Sequence, residues 1–275
     1  VLDGVNFDVE EGEILVIMGG SGSGKSTLLR HLIGTFIPDG GTVKVQGEDL
    51  AMLDDEGMSK VRRQFGILFQ SGALFNSMSI ADNVALSLRE HTDLEPEIIE
   101  FIVKIKLEQV GLREAADKFP AEISGGMKKR AGLARALALD QKLLFYDEPS
   151  AGLDPVTSAS IDQLILDLAK KAGVTSVVVT HEMDSAFVIA DRMAMLDKGK
   201  MLMVDNREVF EELRDWPQDR LMELDQRQQL IRQFLRGDAE GPLTHRKEDS
   251  SYAEDLLGLT APRLTRGPSI HSTKE

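Results

Sequence analysis

Cysteine is absent from this 275-residue chain, so neither a disulfide nor a thiolate metal site can be built, as suits a reducing cytoplasm. Long apolar runs are missing too: no uninterrupted stretch approaches the ~18 residues that suggest a spanning helix, and the polypeptide is not expected to enter a membrane itself. Positive charge is in deficit, with a net charge of -14 at pH 7, and so acidic a chain has little general affinity for nucleic acid, which needs clustered cations. Local basic clusters such as Lys128-Lys129-Arg130 read as a solvated helix face. The chain opens on Val1 rather than Met, with no charged-then-apolar leader, so its natural start is expected upstream.

What is present begins with Gly19-Gly20-Ser21-Gly22-Ser23-Gly24-Lys25-Ser26. It follows the apolar run Ile14-Leu15-Val16-Ile17-Met18 and precedes Thr27-Leu28-Leu29-Arg30-His31-Leu32-Ile33, giving strand, turn and helix, the setting in which a phosphate-binding loop is credible. A flexible Gly/Ser turn would share the composition but not the setting. Other residues resist the φ > 0 conformations that aim successive N–H groups inward, and a Cβ would crowd the phosphates. The helix that follows adds its positive N-terminal end. Lys25 is expected to reach the β- and γ-phosphates of a nucleotide, and the Ser26 hydroxyl to ligate Mg²⁺.

A second apolar run, Leu143-Leu144-Phe145-Tyr146, ends in Asp147-Glu148 and reads as a buried parallel strand. It delivers two carboxylates to the sheet edge where ligands sit in open α/β folds. Alone, such acids are often structural. Behind a phosphate loop, Asp147 becomes a candidate to hold Mg²⁺ through water, and Glu148 to orient and partly deprotonate an attacking water. Ser176-Val177-Val178-Val179-Thr180 is a third run, with His181 at its end. A histidine there, taken alone, reads as a hydrogen-bonded structural residue. Gln70, which ends Phe65-Gly66-Ile67-Leu68-Phe69, is equally bland in isolation.

Ser124, Gly125 and Gly126 precede Met127-Lys128-Lys129-Arg130-Ala131-Gly132-Leu133-Ala134-Arg135-Ala136. They form the exposed N–H end of another helix, chemically suited to a terminal phosphate; an ordinary cap with Ser at the N-cap is the plain alternative. One chain therefore carries two phosphate-recognition elements. In this order and spacing they resemble those of the ATP-binding cassette (ABC) ATPases.

The resemblance implies ATP and Mg²⁺ as cofactors, bound at the loop from Gly19 through Ser26 and the adjoining Thr27. It implies that Ser124, Gly125 and Gly126 face the nucleotide of a second copy, so that two ATP molecules are sandwiched between two chains. His181 would contact the γ-phosphate and couple its position to Glu148, while Gln70 would offer its amide oxygen to Mg²⁺ and sense the water. Ser150-Ala151-Gly152-Leu153-Asp154 resembles the loop that crosses to the opposite subunit, which brings Asp154 to the nucleotide, and Pro155 suits the first turn of a helix. Ile123 stands where Leu is usual and Met127 where Gln is usual, but neither change removes the Ser hydroxyl or the glycine N–H groups. The aromatic residue that stacks on adenine usually lies just upstream of the first strands, so none is assigned.

Apolar strands separated by helical segments argue for an α/β fold with a mostly parallel sheet. The resemblance makes this a P-loop NTPase (RecA-like) core with an inserted helical subdomain. The nucleotide-binding domain is expected over residues 1–205, its helical subdomain over about 86–139, and a C-terminal extension over 206–275. Residues 207–213 and 219–235 look helical. From Gly237 on, Gly, Pro, Ser and mixed charge suggest an extended tail; a tail of this composition is most often disordered, while Tyr252, Leu256, Leu257 and Leu259 offer an apolar patch for docking on a partner.

Phe69-Gln70-Ser71-Gly72-Ala73-Leu74-Phe75, Leu88-Arg89-Glu90-His91-Thr92, Met127 and Gly237-Asp238-Ala239-Glu240-Gly241-Pro242 resemble the ATPase subunits of bacterial Mla phospholipid-transport systems. That resemblance implies a pair of chains on the cytoplasmic face of the inner membrane, beneath a dimeric permease of the MlaE type. A regulatory subunit of the MlaB type and a periplasmic lipid-binding ring of the MlaD type would complete a machine that maintains outer-membrane lipid asymmetry. Gln70 and the loop after it would receive a coupling helix of the permease, with Phe75 read either as part of that surface or as core. The extension would reach toward the other ATPase subunit and help hold the regulatory protein. Other transport cargo stays open. A DNA- or ribosome-directed ABC ATPase is disfavoured, because neither a second cassette nor a long coiled coil is present. A non-catalytic ATP-binding scaffold is disfavoured by the intact Glu148 and His181.

Overall fold

The computed structural model describes residues 1–243 and divides the chain into two compact units, Val1–Trp216 and another that begins at Pro217. The first holds strands β1 (Ile14–Met18), β2 (Lys44–Val45), β3 (Glu48–Asp49), β4 (Phe65–Leu68), β5 (Leu143–Asp147), β6 (Thr175–Thr180), β7 (Arg192–Asp197) and β8 (Lys200–Asn206). Its helices are α1 (Lys25–Leu32), α2 (Asp55–Arg62), α3 (Ile80–His91), α4 (Pro96–Gln109), α5 (Gly125–Ala136), α6 (Pro155–Ala172), α7 (Met183–Ile189) and α8 (Arg207–Asp215).

All five residues of β1 and all six of β6 are buried, as expected of central strands covered on both faces, and their apolar, β-branched sequences suit that position. The sheet order is β4-β5-β6-β1-β7-β8, parallel throughout except for β8, which runs antiparallel to β7. Lys198 and Gly199 form the turn between that last pair, with φ of 47° and 79°, the positive values a two-residue hairpin requires. Register sets Met18 beside Thr180 and Asp147 beside Val179. The loops that leave β1, β5 and β6 therefore emerge together at one sheet edge, and this carries the expected α/β P-loop architecture.

Two apolar clusters divide the first unit. Leu15, Ile17, Leu28, Leu29, Phe145, Val177 and Val179 pack around the sheet and α1. Ile80, Val84, Leu88, Val103, Leu107, Ala131 and Ala134 form a separate core among α3, α4 and α5. Ser79 opens α3 by accepting from the Asp82 N–H at 3.0 Å, and Asp154 opens α6 in the same way.

The expected helix over 207–213 corresponds to α8, while the stretch 219–235 is split into a 3₁₀ segment, Gln218–Glu223, and helix α9 (Gln226–Arg236). Asp225 causes the break: its carboxylate accepts from the Gln228 N–H at 2.8 Å, and the Gln228 side chain accepts in return from the Asp225 N–H at 2.9 Å. Tyr252, Leu256, Leu257 and Leu259 lie outside the described residues.

Candidate nucleotide-hydrolysis site

The loop between β1 and α1 uses its glycines for different reasons. A Cβ at Gly19 would stand 2.2 Å from the Leu196 carbonyl oxygen on β7, so only glycine lets the chain leave the sheet there. Gly22 has φ 78° and open space around its missing Cβ, so its reason is conformation rather than crowding. Gly24 precedes α1 as its N-cap; Gly20, Ser21 and Ser26 lie at or near the surface, and Thr27 is half-buried. The Ser23 hydroxyl is buried without a hydrogen-bond partner among the described residues.

Lys25, only 9% exposed, folds back across the loop. Its ammonium donates to the Gly19 carbonyl at 2.7 Å and the Gly20 carbonyl at 3.2 Å. Burial pulls its pKa down, while the charges of Glu148 and Asp147 pull it back up. The cation of the loop and the acids after β5 thus share one electrostatic neighbourhood. Burial first, and then the charge of Glu148, pushes the Asp147 carboxyl above its ordinary range; Lys129, Lys25 and Arg30 oppose that rise.

Glu148 is the most constrained residue of the site. Its φ of 50° is left-handed, a conformation that costs a non-glycine residue about 1–3 kcal/mol and persists only when neighbours hold it. The neighbours are evident. Its N–H donates to the Val179 carbonyl at 2.8 Å, and its own carbonyl accepts from the Lys129 ammonium at 2.7 Å. One carboxylate oxygen accepts from the Thr180 hydroxyl at 3.2 Å and the His181 N–H at 3.3 Å. The other lies 2.9 Å from His181 Nδ1, which donates to it when protonated there.

The fold therefore gathers Lys25, Asp147, Glu148 and His181 around one edge of the sheet. Gln70 follows β4 with an exposed side chain, and the loop after it is anchored by Arg135, which donates to Ala73 O at 2.7 Å and Gly72 O at 3.1 Å. Phe75 is 51% exposed, so the alternative that made it ordinary core is corrected.

Ser124 caps α5, its hydroxyl accepting from the Met127 N–H at 3.3 Å. Ser124 and Gly125 are exposed, while a Cβ on Gly126 would meet Thr157 Cγ2 at 2.3 Å. Among the described residues, Ser124, Gly125 and Gly126 make no hydrogen bond to the phosphate loop. Asp154 is engaged as the cap of α6, accepting from the N–H groups of Val156 at 3.1 Å and Thr157 at 3.0 Å and from the Thr157 hydroxyl at 2.6 Å.

Two neighbours of Glu148 escaped sequence reasoning. In the sequence Thr180 reads only as the end of a strand. The reading of Lys128-Lys129-Arg130 as a solvated face fails at its middle member, which is buried. A signal was available: Gly126, Lys129, Leu133 and Ala136 recur at helical spacing and are all buried, so Lys129 sits on the inward stripe of α5.

Fold and site together define a P-loop ATPase, with a sheet core that holds the nucleotide loop and a separate helical core that presents a second phosphate-suited helix end. A family model described as ABC transporter matches residues 2–151, and the chain belongs to that family. Among its relatives, the probable ribonucleotide transport ATP-binding protein mkl of Mycobacterium leprae is 40% identical over 97% of this chain and 74% of its own length. The intermembrane phospholipid transport system ATP-binding protein MlaF of Escherichia coli K12 is 41% identical over 94% of this chain and 91% of its own. A dimeric ATP-binding cassette, solved in a post-hydrolysis state with ADP and Pi, superimposes with a TM-score of 0.70 at 32% identity, covering 75% of this chain and 90% of that one. The protein is accordingly an ATP-binding ABC ATPase, and cassettes of this family dimerise.

Proposed function

We propose that this ATPase energises phospholipid movement between the inner and outer membranes and so maintains outer-membrane lipid asymmetry. One observation carries the reading: the chain covers 91% of the length of E. coli MlaF at 41% identity, a likeness that runs far past the residues common to ABC cassettes in general. The mycobacterial relative, covered over 74% of its length, supports ribonucleotide as the second cargo to test.

In this reading, residues 1–205 act as the cassette and those beyond as an interaction segment. Two copies work from the cytoplasmic face of the inner membrane on an MlaE-like permease dimer, with MlaB-like regulatory and MlaD-like periplasmic lipid-binding subunits. The surface around Gln70 and Phe75 would meet the permease. In each site Lys25 would exchange the Gly19 and Gly20 carbonyls for phosphate oxygens, joined by the loop N–H groups and the start of α1. Ser124, Gly125 and Gly126 of the other copy would close over the terminal phosphate, with Asp154 nearby on the crossing loop.

Mg²⁺ suits this site only as a companion of the nucleotide. Among the described residues no cluster of three or more His, Cys, Asp or Glu could hold a metal, whereas Ser26, Gln70 and Asp147 supply the few oxygen donors Mg²⁺ takes beside phosphate and water. When bound, it would neutralise phosphate charge. Glu148 would take a proton from water as the water oxygen bonds to the γ-phosphorus and the bridging bond to ADP breaks, releasing phosphate. His181, with Nδ1 directed to Glu148, would turn Nε2 to the γ-phosphate.

The test is to purify the chain with its native membrane subunits, identify the bound small molecules by mass spectrometry and measure ATP hydrolysis with phospholipid or ribonucleotide added. Bound glycerophospholipid and lipid-dependent hydrolysis are expected. Co-purifying nucleotide cargo, or stimulation by nucleic acid instead of lipid, would overturn the reading.

A further inference from the structure

Helix α5 meets the site with its flank as well as its tip. Lys129, one turn inside the Ser124 cap, is 4% exposed, and its ammonium makes one hydrogen bond among the described residues, 2.7 Å to the carbonyl oxygen of Glu148. The Glu148 peptide is thus gripped from two elements, β6 through Val179 O and α5 through Lys129, while φ stands at 50°. Farther along, α5 is fastened to the loop after Gln70 by Arg135, and a Cβ on Gly132 would strike Gly72 O at 2.9 Å. A single rigid rod therefore links the Ser124 end, the Glu148 backbone and the Gln70 loop.

Stability alone is a weak reason for a lysine here, although the charges of Asp147 and Glu148 partly offset its burial. A buried ammonium is expensive unless well paired, and an apolar side chain of similar volume at such a position is often neutral or better. We propose that Lys129 is a positioning residue for ATP hydrolysis: it ties the backbone of Glu148 to α5, so that the helix whose tip faces a partner's nucleotide also aims the carboxylate in its own site. The proposal rests on Glu148 as the base.

The experiment compares ATP turnover by the full chain, purified with its membrane subunits, in four variants: Lys129→Met, Lys129→Arg, Glu148→Gln and the double Lys129→Met/Glu148→Gln. Because a misplacement of about 1 Å can cost about 10²-fold, Lys129→Met is expected to lower kcat about 10- to 100-fold, with KM for ATP moving less than about threefold. Lys129→Arg, which keeps a donor cation, should recover most of the rate. The double variant should be no slower than Glu148→Gln by more than about threefold, because the lysine acts through that glutamate. Should Lys129→Met not fold, Lys129→Leu, which likewise has no donor, takes its place under the same criteria. Loss of kcat in Glu148→Gln beside an unchanged kcat in Lys129→Met sinks the proposal alone, as does a loss that multiplies in the double variant. Full turnover in Glu148→Gln removes the base assignment, and the proposal with it.

Discussion

Glu148 and Lys25 are both buried or nearly so, carry opposite charges and feel each other, yet their removal should act on different quantities. Positioned general-base chemistry contributes roughly 10²–10⁴-fold, so Glu148→Gln should lower kcat by about that factor while the dissociation constant for ATP stays put. Lys25→Ala deletes the cation that, in the proposed reading, exchanges the Gly19 and Gly20 carbonyls for phosphate oxygens. Charged hydrogen bonds are worth about 1.5–3 kcal/mol, which corresponds to about 10- to 100-fold weaker ATP binding by calorimetry. A third residue is tested by pH. Asp162 on α6 is buried and accepts from the Ser185 hydroxyl, which in turn accepts from Ser150 at 3.3 Å. Burial pushes the Asp162 carboxyl above its ordinary range despite that hydrogen bond. A carboxyl raised in the folded state favours the fold below its unfolded pKa and loses that contribution as pH rises through the folded pKa. Asp162→Asn should therefore gain stability relative to the parent at pH 8 and lose that advantage near pH 4, as denaturant titrations at the two values would measure.

Between elements, a close backbone approach lies where β4 meets the end of α5. A Cβ on Gly66 would stand 2.1 Å from Ala136 O and 2.6 Å from Leu144 Cδ2, and backbone cannot step aside as a side chain can. Gly66→Ala should destabilise the chain by about 3 kcal/mol, a drop in Tm of roughly 6 °C or more by calorimetry, because strand or helix must move to admit one methyl. At this scale the sequence was most readable where one physical rule dominates. The runs behind Met18, Tyr146 and Thr180 declared themselves as buried strands by composition, and the phosphate loop by its flanks. Rules in competition were harder to see. Charge said surface for Lys129 while helical spacing said interior, and spacing won because the Glu148 carbonyl awaited a donor. The Asp225 cap divided a run whose apolar pattern alone looked continuous.

At the scale of the whole molecule, the first unit has one core around the sheet and another among α3, α4 and α5, with the phosphate loop beside the first and the Ser124 helix end beside the second. Sequence order disclosed both elements but not their separation, which depends on contacts far apart along the chain. Among the described residues no hydrogen bond joins the exposed Ser124 or Gly125 to the phosphate loop, and a related cassette is dimeric in its ADP- and Pi-bound state. These facts set the last prediction. Ser124→Arg introduces a long cation at the tip of α5, where a second copy would have to approach, and removes one cap at a cost of about 1 kcal/mol. Lys25 and Glu148 keep all their partners, so ATP affinity of the single chain should stay within about threefold of the parent. Association has no such reserve, because a side chain wedged between two docking surfaces holds the phosphate of one away from the N–H groups of the other. ATP-induced dimers, followed by sedimentation in a Glu148→Gln background, should disappear, and hydrolysis in the otherwise unmodified chain should fall by at least the factor expected for Glu148→Gln. Retained hydrolysis with a normal dependence on chain concentration would mean that each site is complete within one copy.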